Sequence, residues 1–207
     1  MKQLPLLALL LATQTGHAQP RVTKLTATGI PKSIAYAGHV VDAARWTDTQ
    51  GDHLVIATET GATASKSPEA EGARDAALYA SHYLLQGAAW QPTWKVTDFV
   101  KECPLDIEAN FVPHSFAVTD LDRNGQAEVW LMYQTACQGG VDPNSLKIIM
   151  YEAGRKYAVR GTTHIKVSAT TYDGGQFTFD EAFGKGPAAF RSYAAQLWTK
   201  YRGNAGK

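Results

Sequence analysis

Oxygen-bearing side chains are concentrated in one short segment, residues 120–128, which reads DLDRNGQAE. They occupy alternate positions of the segment: Asp120, Asp122, Asn124, Gln126 and Glu128. Because alternate residues of a tight loop can point to one centre, the first three side chains would converge, and Gly125 permits the sharp reversal that follows them. Calcium prefers about six to eight oxygen ligands from carboxylates, carboxamides and backbone carbonyls. The spacing therefore predicts a calcium site.

Two other interpretations of the acidic segment have to be weighed against calcium. Zinc and copper are poor candidates, because the segment contains neither His nor Cys. A polar β-turn is the simpler alternative, since Asp and Asn side chains readily bond to their own backbone. Glu128 favours calcium over the turn, because a plain turn does not need an acid at that position. Without a cation, the three carboxylates would repel one another.

The flanking sequences SFAVT and VWLMY are typical of strands, which separates this loop from an EF-hand. An EF-hand also needs an acid at position 12 when the first ligand, Asp120, is counted as position 1, and this chain has Leu131 there. The pattern D-x-D-x-N-G-x-x-E between two strands resembles the calcium loop of FG-GAP or integrin-type β-propeller repeats. That resemblance implies five ligands: Asp120, Asp122, Asn124, Gln126 through its carbonyl, and Glu128. A propeller would repeat the loop, whereas this chain has it once, so only the loop is carried over.

The first residues predict export. Residues 1–18 contain Lys2, an apolar run and a small-residue exit, which is typical of a secretory signal cleaved between Ala18 and Gln19. The apolar run is too short to span a membrane, and no later stretch is long enough. The mature chain is therefore expected in the periplasm or outside the cell.

The chain has two cysteines, Cys103 and Cys137, which bracket the acidic segment. In an oxidising compartment an even pair predicts a disulfide. A catalytic thiol is the alternative, although no Cys-His signature surrounds either residue.

The remaining pattern predicts a mainly β (α+β) fold in one domain over residues 19–207, an antiparallel β meander with a C-terminal amphipathic helix packed on it. Strand-like runs flank turn signals at 49–52, Gly87, 153–154 and 173–175. Residues 101–113 are expected to be a polar connection and residues 62–75 an exposed, mobile loop. Aromatic residues recur at helical spacing after Pro187, and Gly203 follows them as a C-terminal cap.

Three segments together resemble an uncharacterised family of exported bacterial proteins, some labelled as surface-polysaccharide biosynthesis proteins: DFVKECPLDIEANF, FAVTDLDRNGQAEVWLMY and LKIIMYEAGRKYAVRG. The resemblance covers most of the chain from about Ala76 onward and implies a context but no residue roles. We expect a calcium-stabilised β domain that binds an envelope glycan or an envelope protein. The alternative is a carbohydrate-active hydrolase or transferase with paired carboxylates among Asp98, Asp106 and Glu108. With a formal charge of +1, the chain offers no electrostatic footprint for nucleic acid.

Overall fold

The structure is a computed structural model that describes residues 19–203. The predicted signal segment 1–18 lies outside the described residues. The fold is mainly β with antiparallel sheets and a C-terminal helix, which confirms the predicted fold class. None of the helices in residues 19–203 is long and apolar enough to cross a bilayer.

The first six strands form one sheet, sheet A, in which β1, β2, β3, β5 and β6 are successive neighbours and β4 pairs with the start of β5. Its strands are β1 Thr23–Lys24, β2 His39–Asp48, β3 Gly51–Glu59, β4 Thr63–Ala64, β5 Arg74–Gln86 and β6 Ala89–Cys103. A short 3₁₀ turn, Ala27–Gly29, follows β1. The predicted hairpin turns at 49–52 and at Gly87 are confirmed as the β2–β3 and β5–β6 connections. The predicted loop 62–75 contains β4 and the first two residues of β5.

Sheet B has the order β14-β11-β10-β9-β7, and β8 also pairs with β9. Its strands are β7 Asp106–Phe111, β8 Ala117–Thr119, β9 Glu128–Gln138, β10 Ser145–Glu152, β11 Arg155–Thr162 and β14 Phe177–Phe179. A separate two-stranded ribbon joins β12 His164–Lys166 to β13 Tyr172–Gly174. The predicted turn at 153–154 is confirmed as the β10–β11 hairpin.

Sheet B is buried on both faces, and its central strand β9 shows why. Val129, Leu131 and Tyr133 face sheet A in a shared hydrophobic cluster, whereas Trp130 and Met132 face the C-terminal helix. All five residues are buried, so the strand is an almost continuous apolar run rather than an alternating one. The two sheets therefore pack face to face, with the acidic loop at the start of β9.

A disulfide links Cys103 at the end of β6 to Cys137 near the end of β9, with Cα atoms 5.6 Å apart. It confirms the predicted pairing and joins sheet A to sheet B. The closed loop spans 34 residues. On the chain-entropy account such a loop stabilises the folded state by about 4 kcal/mol.

The helices α1 Glu181–Lys185 and α2 Ala188–Tyr201 cover the outer face of sheet B. Pro187 immediately precedes the first residue of α2. Its fixed φ and its missing N–H suit the start of a helix. The helix buries Phe190, Leu197 and Trp198 against sheet B, and the Trp198 indole donates to the carbonyl of Gly175 at 2.9 Å. This contact gives the buried indole N–H its partner.

Two further segments differ from the sequence prediction. Residues 101–113 were predicted to be a connection, but β6 continues to Cys103 and Asp106–Phe111 forms β7, because its apolar residues alternate towards the inter-sheet core. Residues 173–175 were predicted to be a hairpin turn, but β13 ends at Gly174 and the chain crosses to pair with β11. Gly174 is needed for close approach instead: its φ is +71°, and a Cβ there would lie 2.1 Å from the Thr163 carbonyl oxygen.

Candidate metal centre

The acidic loop connects β8 to β9, and the pairing of Thr119 with Glu128 closes it. Two of its residues have left-handed backbone, Arg123 with φ 61° and Gly125 with φ 81°. Gly125 is the residue for which this conformation has no Cβ penalty. These two reversals curl the loop into a tight turn, so that the side chains of its two ends meet.

Three carboxylates of the loop converge on one region. One oxygen from each of Asp120, Asp122 and Glu128 lies within 4.8 Å of the others. Asp120 is 2% exposed and Glu128 is fully buried, whereas Asp122 is half-buried. Burial of two acids against each other is unfavourable unless hydrogen bonds or a cation compensate, so this arrangement needs a physical explanation.

The loop backbone fixes the Asp120 carboxylate. Its Oδ1 accepts from the N–H of Asn124 at 3.0 Å, and its Oδ2 accepts from the N–H of Gly125 at 3.1 Å. Because each carboxylate oxygen has two acceptor positions, one on each oxygen is left for a cation. The backbone thus holds Asp120 in place without using up its capacity as a ligand.

Glu128 is held from the opposite side of the loop. Its Oε2 accepts from the Thr119 hydroxyl at 2.6 Å, and the N–H of Leu121 donates to both oxygens at 2.9 and 3.0 Å. Burial, together with the charges of Asp122 and Glu152, raises the pKa of Glu128 to about 7 against the effect of these hydrogen bonds. A cation among these groups would favour the ionised form.

Asn124 and Gln126 stay predicted ligands. The Asn124 amide nitrogen donates to Asp122 Oδ2 at 3.1 Å, so in this orientation the nitrogen faces the acids. Its oxygen accepts from the Gln126 N–H at 2.7 Å. The Gln126 side chain turns away from the acids and pairs with Gln50 at 3.0 Å.

Glu152, at the end of β10, is an acid near the loop that the sequence analysis missed. It accepts from the Asn124 amide at 2.8 Å. Burial raises its pKa, and the charges of Asp122 and Asp120 raise it further. Local spacing carries no signal for this residue, because Glu152 reaches the loop only through the pairing of β10 with β9.

A second polar group lies beside the loop and contains two histidines that the sequence analysis did not identify. Asp48 accepts from His53 at 2.8 Å, His53 and His82 share a hydrogen bond of 3.0 Å, and His82 meets the Thr93 hydroxyl at 2.5 Å. Burial and the neighbouring His53 lower the pKa of His82 to about 3. Against the effect of burial, hydrogen bonds from His53 and from the Ala127 and Gln50 N–H groups lower the pKa of Asp48 to about 2.

The three acids of the enzymatic alternative lie in different environments. The Asp106 side chain is 91% exposed, and Asp98 forms an ion pair with Lys147. Glu108 lines a cleft and accepts from Gln134 at 2.6 Å. The cleft that Glu108 lines is a concave environment suited to binding a substrate.

Comparison of the chain with protein-family models, curated proteins and solved structures finds no match. The class of site is therefore described from geometry alone. It is a buried Asp/Asp/Glu group that could hold a metal ion, at the edge of a two-sheet β domain.

Proposed function

We propose that the protein is an exported, calcium-stabilised β domain that acts by binding at the cell envelope. The observation that carries the proposal is the convergence of Asp120, Asp122 and Glu128 within 4.8 Å. Two ligands of one calcium ion can lie up to roughly 5 Å apart, since each calcium–oxygen distance is about 2.3–2.6 Å. All three donors are oxygen, which suits calcium and argues against zinc and copper.

The proposed coordination uses the groups that the loop already holds. Asp120, Asp122 and Glu128 supply carboxylate oxygens. A half-turn of the Asn124 amide would exchange its nitrogen for its oxygen at the side facing Asp122. The carbonyl of Gln126 completes the protein ligands proposed here, and water fills the remaining positions. Bound calcium would neutralise the repulsion among the acids and join both ends of the loop.

Two observations support the location and the binding role. The inter-sheet disulfide is typical of proteins outside the cytoplasm, which agrees with the predicted signal over residues 1–18. Among the acids of the enzymatic alternative, Asp98 is paired with Lys147 and the Asp106 side chain is largely exposed, so a binding role fits the geometry better than paired-carboxylate hydrolysis. The ligand proposed is an envelope glycan or an envelope protein, with the link to surface polysaccharide resting on the sequence resemblance.

Calorimetric titration of the chelator-treated protein tests the metal part. We expect one calcium site with a dissociation constant of ~10⁻⁴–10⁻³ M, as for single extracellular sites. The variant Asp122→Ala should give no binding heat, whereas Asp142→Ala, which removes an exposed acid outside the loop, should behave as the wild type. The absence of calcium binding by the wild type at millimolar concentration would overturn the assignment.

Sedimentation with isolated bacterial envelopes tests the binding role. The protein should sediment with envelopes in calcium and stay in the supernatant in chelator. Asp122→Ala should stay in the supernatant under both conditions. Equal partitioning in calcium and chelator would contradict a calcium-dependent role at the envelope.

A further inference from the structure

A cleft of about 820 Å³ lies away from the acidic loop, where the β1–β3 side of sheet A meets β7 of sheet B. Its volume is within the usual range for ligand sites, about 300–1,000 Å³. The groups used in the argument below are Lys24, Asp42, Glu59, Glu108, Phe116 and Gln134. They combine acids, an amide and an aromatic ring in one concave surface.

The structure fixes both glutamates of this cleft. Glu59, at the end of β3, accepts from the backbone N–H of Phe111 at 2.6 Å. Glu108, on β7, accepts from the amides of Gln134 at 2.6 Å and Asn144 at 3.1 Å. Held in this way, the carboxylates lose little side-chain entropy when they accept further hydrogen bonds from a ligand. Their unused lone pairs suit hydroxyl and amine donors.

The turn that forms one wall is also fixed in advance. Ser115 closes the turn through two hydrogen bonds to the Val112 carbonyl, at 3.2 and 2.7 Å. His114 has left-handed backbone with φ 61°, and its carbonyl accepts from the Tyr201 hydroxyl of α2 at 2.6 Å. A non-glycine residue held in this conformation needs surrounding structure to support it. The wall is therefore a built surface rather than a loose loop.

An aromatic ring provides the apolar contact. Phe116 is half-buried in the cleft, and the Lys24 ammonium lies 4.0 Å from its ring centroid. Lys24 also pairs with Asp42 at 2.6 Å. Within residues 19–203, Glu59 and Glu108 have no lysine or arginine partner. The exposed His39 lies 3.7 Å from Glu59. Because acids outnumber the lysine here, the cleft favours neutral or positively charged ligands over anionic ones.

A peptide strand is a less suitable occupant. An extended peptide would add to the free edge of β7 by main-chain hydrogen bonds. However, Glu59 already occupies the outward-pointing N–H of Phe111, and Ala109, the preceding residue whose N–H points the same way, is 1% exposed. Recognition must therefore depend on side-chain acceptors and the aromatic ring. Those features suit a ring compound that carries many hydroxyl groups.

We propose that this cleft is a glycan-binding site, in which Glu59 and Glu108 accept hydrogen bonds from the hydroxyl or amino groups of neutral or amino sugars and Phe116 packs against a sugar ring. The inference deepens the proposed function and rests on its binding role, whereas the cleft is built from residues outside the proposed calcium site.

A glycan array with neutral, amino-bearing and uronic-acid oligosaccharides tests the proposal, together with a lysine-rich peptide as a separate probe. The full protein should bind neutral or amino glycans and neither uronic-acid glycans nor the peptide. Glu59→Gln and Glu108→Gln keep the shape but replace one of the two acceptor oxygens by an NH2 donor and remove the charge, so each should weaken binding at least tenfold. Phe116→Ala should also weaken it. Matched controls are Glu71→Gln, an exposed acid, and Phe99→Ala, a ring that is 54% exposed on another surface.

Melting curves with and without calcium check that each variant is folded. Absence of glycan binding by the wild type, binding limited to acidic glycans, binding of the peptide instead, or unchanged binding by the glutamine variants would overturn the proposal. Calcium-dependent binding to envelopes that is unaffected by the cleft variants would leave the proposed function in place and reject only the cleft. Glycan binding by a wild-type protein that does not bind calcium would reject the calcium part of the proposed function and keep the cleft.

Discussion

Calcium is expected to raise the thermal stability of this protein, because an ion that binds only the folded loop stabilises that state. The stabilisation equals RT ln(1 + [L]/Kd). With a dissociation constant of ~10⁻⁴–10⁻³ M, calcium at about 10 mM contributes about 1.4–2.7 kcal/mol. For a domain of this length, each kcal/mol shifts the melting temperature by about 2–4 °C. The expected increase is therefore about 3–11 °C.

The structure says which residue should control this shift. Asp122 is the half-buried member of the converging acids, so its removal leaves a smaller cavity than the removal of Asp120 or Glu128 would. Asp122→Ala removes one of three carboxylate charges. This should raise the dissociation constant for calcium above about 10 mM and abolish the increase in melting temperature. Asp142→Ala removes an exposed acid from another loop and should keep the full increase.

Differential scanning calorimetry in chelator, in calcium and in magnesium at constant ionic strength is the appropriate assay. Magnesium should give a smaller shift than calcium, because it requires shorter bonds and a stricter octahedral arrangement. The reasoning fails if the wild type melts at the same temperature in chelator and in about 10 mM calcium. It also fails if Asp122→Ala retains the wild-type shift.

Three further outcomes are expected. Replacing Cys103 and Cys137 together by serine should lower the free energy of unfolding by about 4 kcal/mol in urea titrations, because the 34-residue loop is no longer closed. Trp198→Ala should cost about 3–5 kcal/mol in the same assay, because Trp198 is fully buried between α2 and sheet B. Because the pKa of His82 is lowered to about 3 in the folded protein, acid should lower the free energy of unfolding. Between its ordinary pKa of 6.5 and about 3, only the unfolded chain takes up this proton. Between pH 7.5 and 5 this loss is about 2 kcal/mol, measured as the difference in pH dependence between wild type and His82→Gln.

The comparison with His82→Gln is necessary because Glu128 acts in the opposite direction. Its pKa is raised to about 7, so in the metal-free protein its contribution to stability is present at low pH and is lost as pH rises through 7. Identical pH dependence of the wild type and His82→Gln would contradict the buried neutral state of His82. A cost below about 1 kcal/mol would contradict the packing argument for Trp198 or the cross-link argument for the cysteines.

The features that local sequence could predict are those whose partners lie close along the chain. The acidic loop brings Asp120 and Glu128 together within one hairpin, so alternate spacing and Gly125 were sufficient to find the convergent acids. The C-terminal helix was predictable from its aromatic periodicity, and the cysteine pair from composition and the predicted export. In each case one local physical rule decides the outcome.

The features that the sequence did not reveal depend on how distant strands pair. His53 and His82 are 29 residues apart and meet because β3 pairs with β5 in a register that places them diagonally. Glu59 meets Phe111 across 52 residues, where the two sheets cross. The turn predicted at 173–175 was wrong because glycines suit both reversals and close approach, and only the packing around Gly174 decides between them.

The acidic loop is placed where two other hairpins also end, which explains how a metal there could affect the whole domain. The turn between β2 and β3 reaches it through Thr49, whose N–H and hydroxyl both donate to the Gly125 carbonyl, at 3.0 and 2.7 Å. Asp48 uses one oxygen for His53 and the other for the Ala127 N–H at 3.0 Å, so it couples the loop to the buried histidines. Since the β10–β11 hairpin contributes Glu152 on the other side, a cation in the loop would tie parts of both sheets together at one end. The disulfide already joins the sheets through the far end of β9, so metal and cross-link would stabilise opposite ends of one strand rather than duplicate each other.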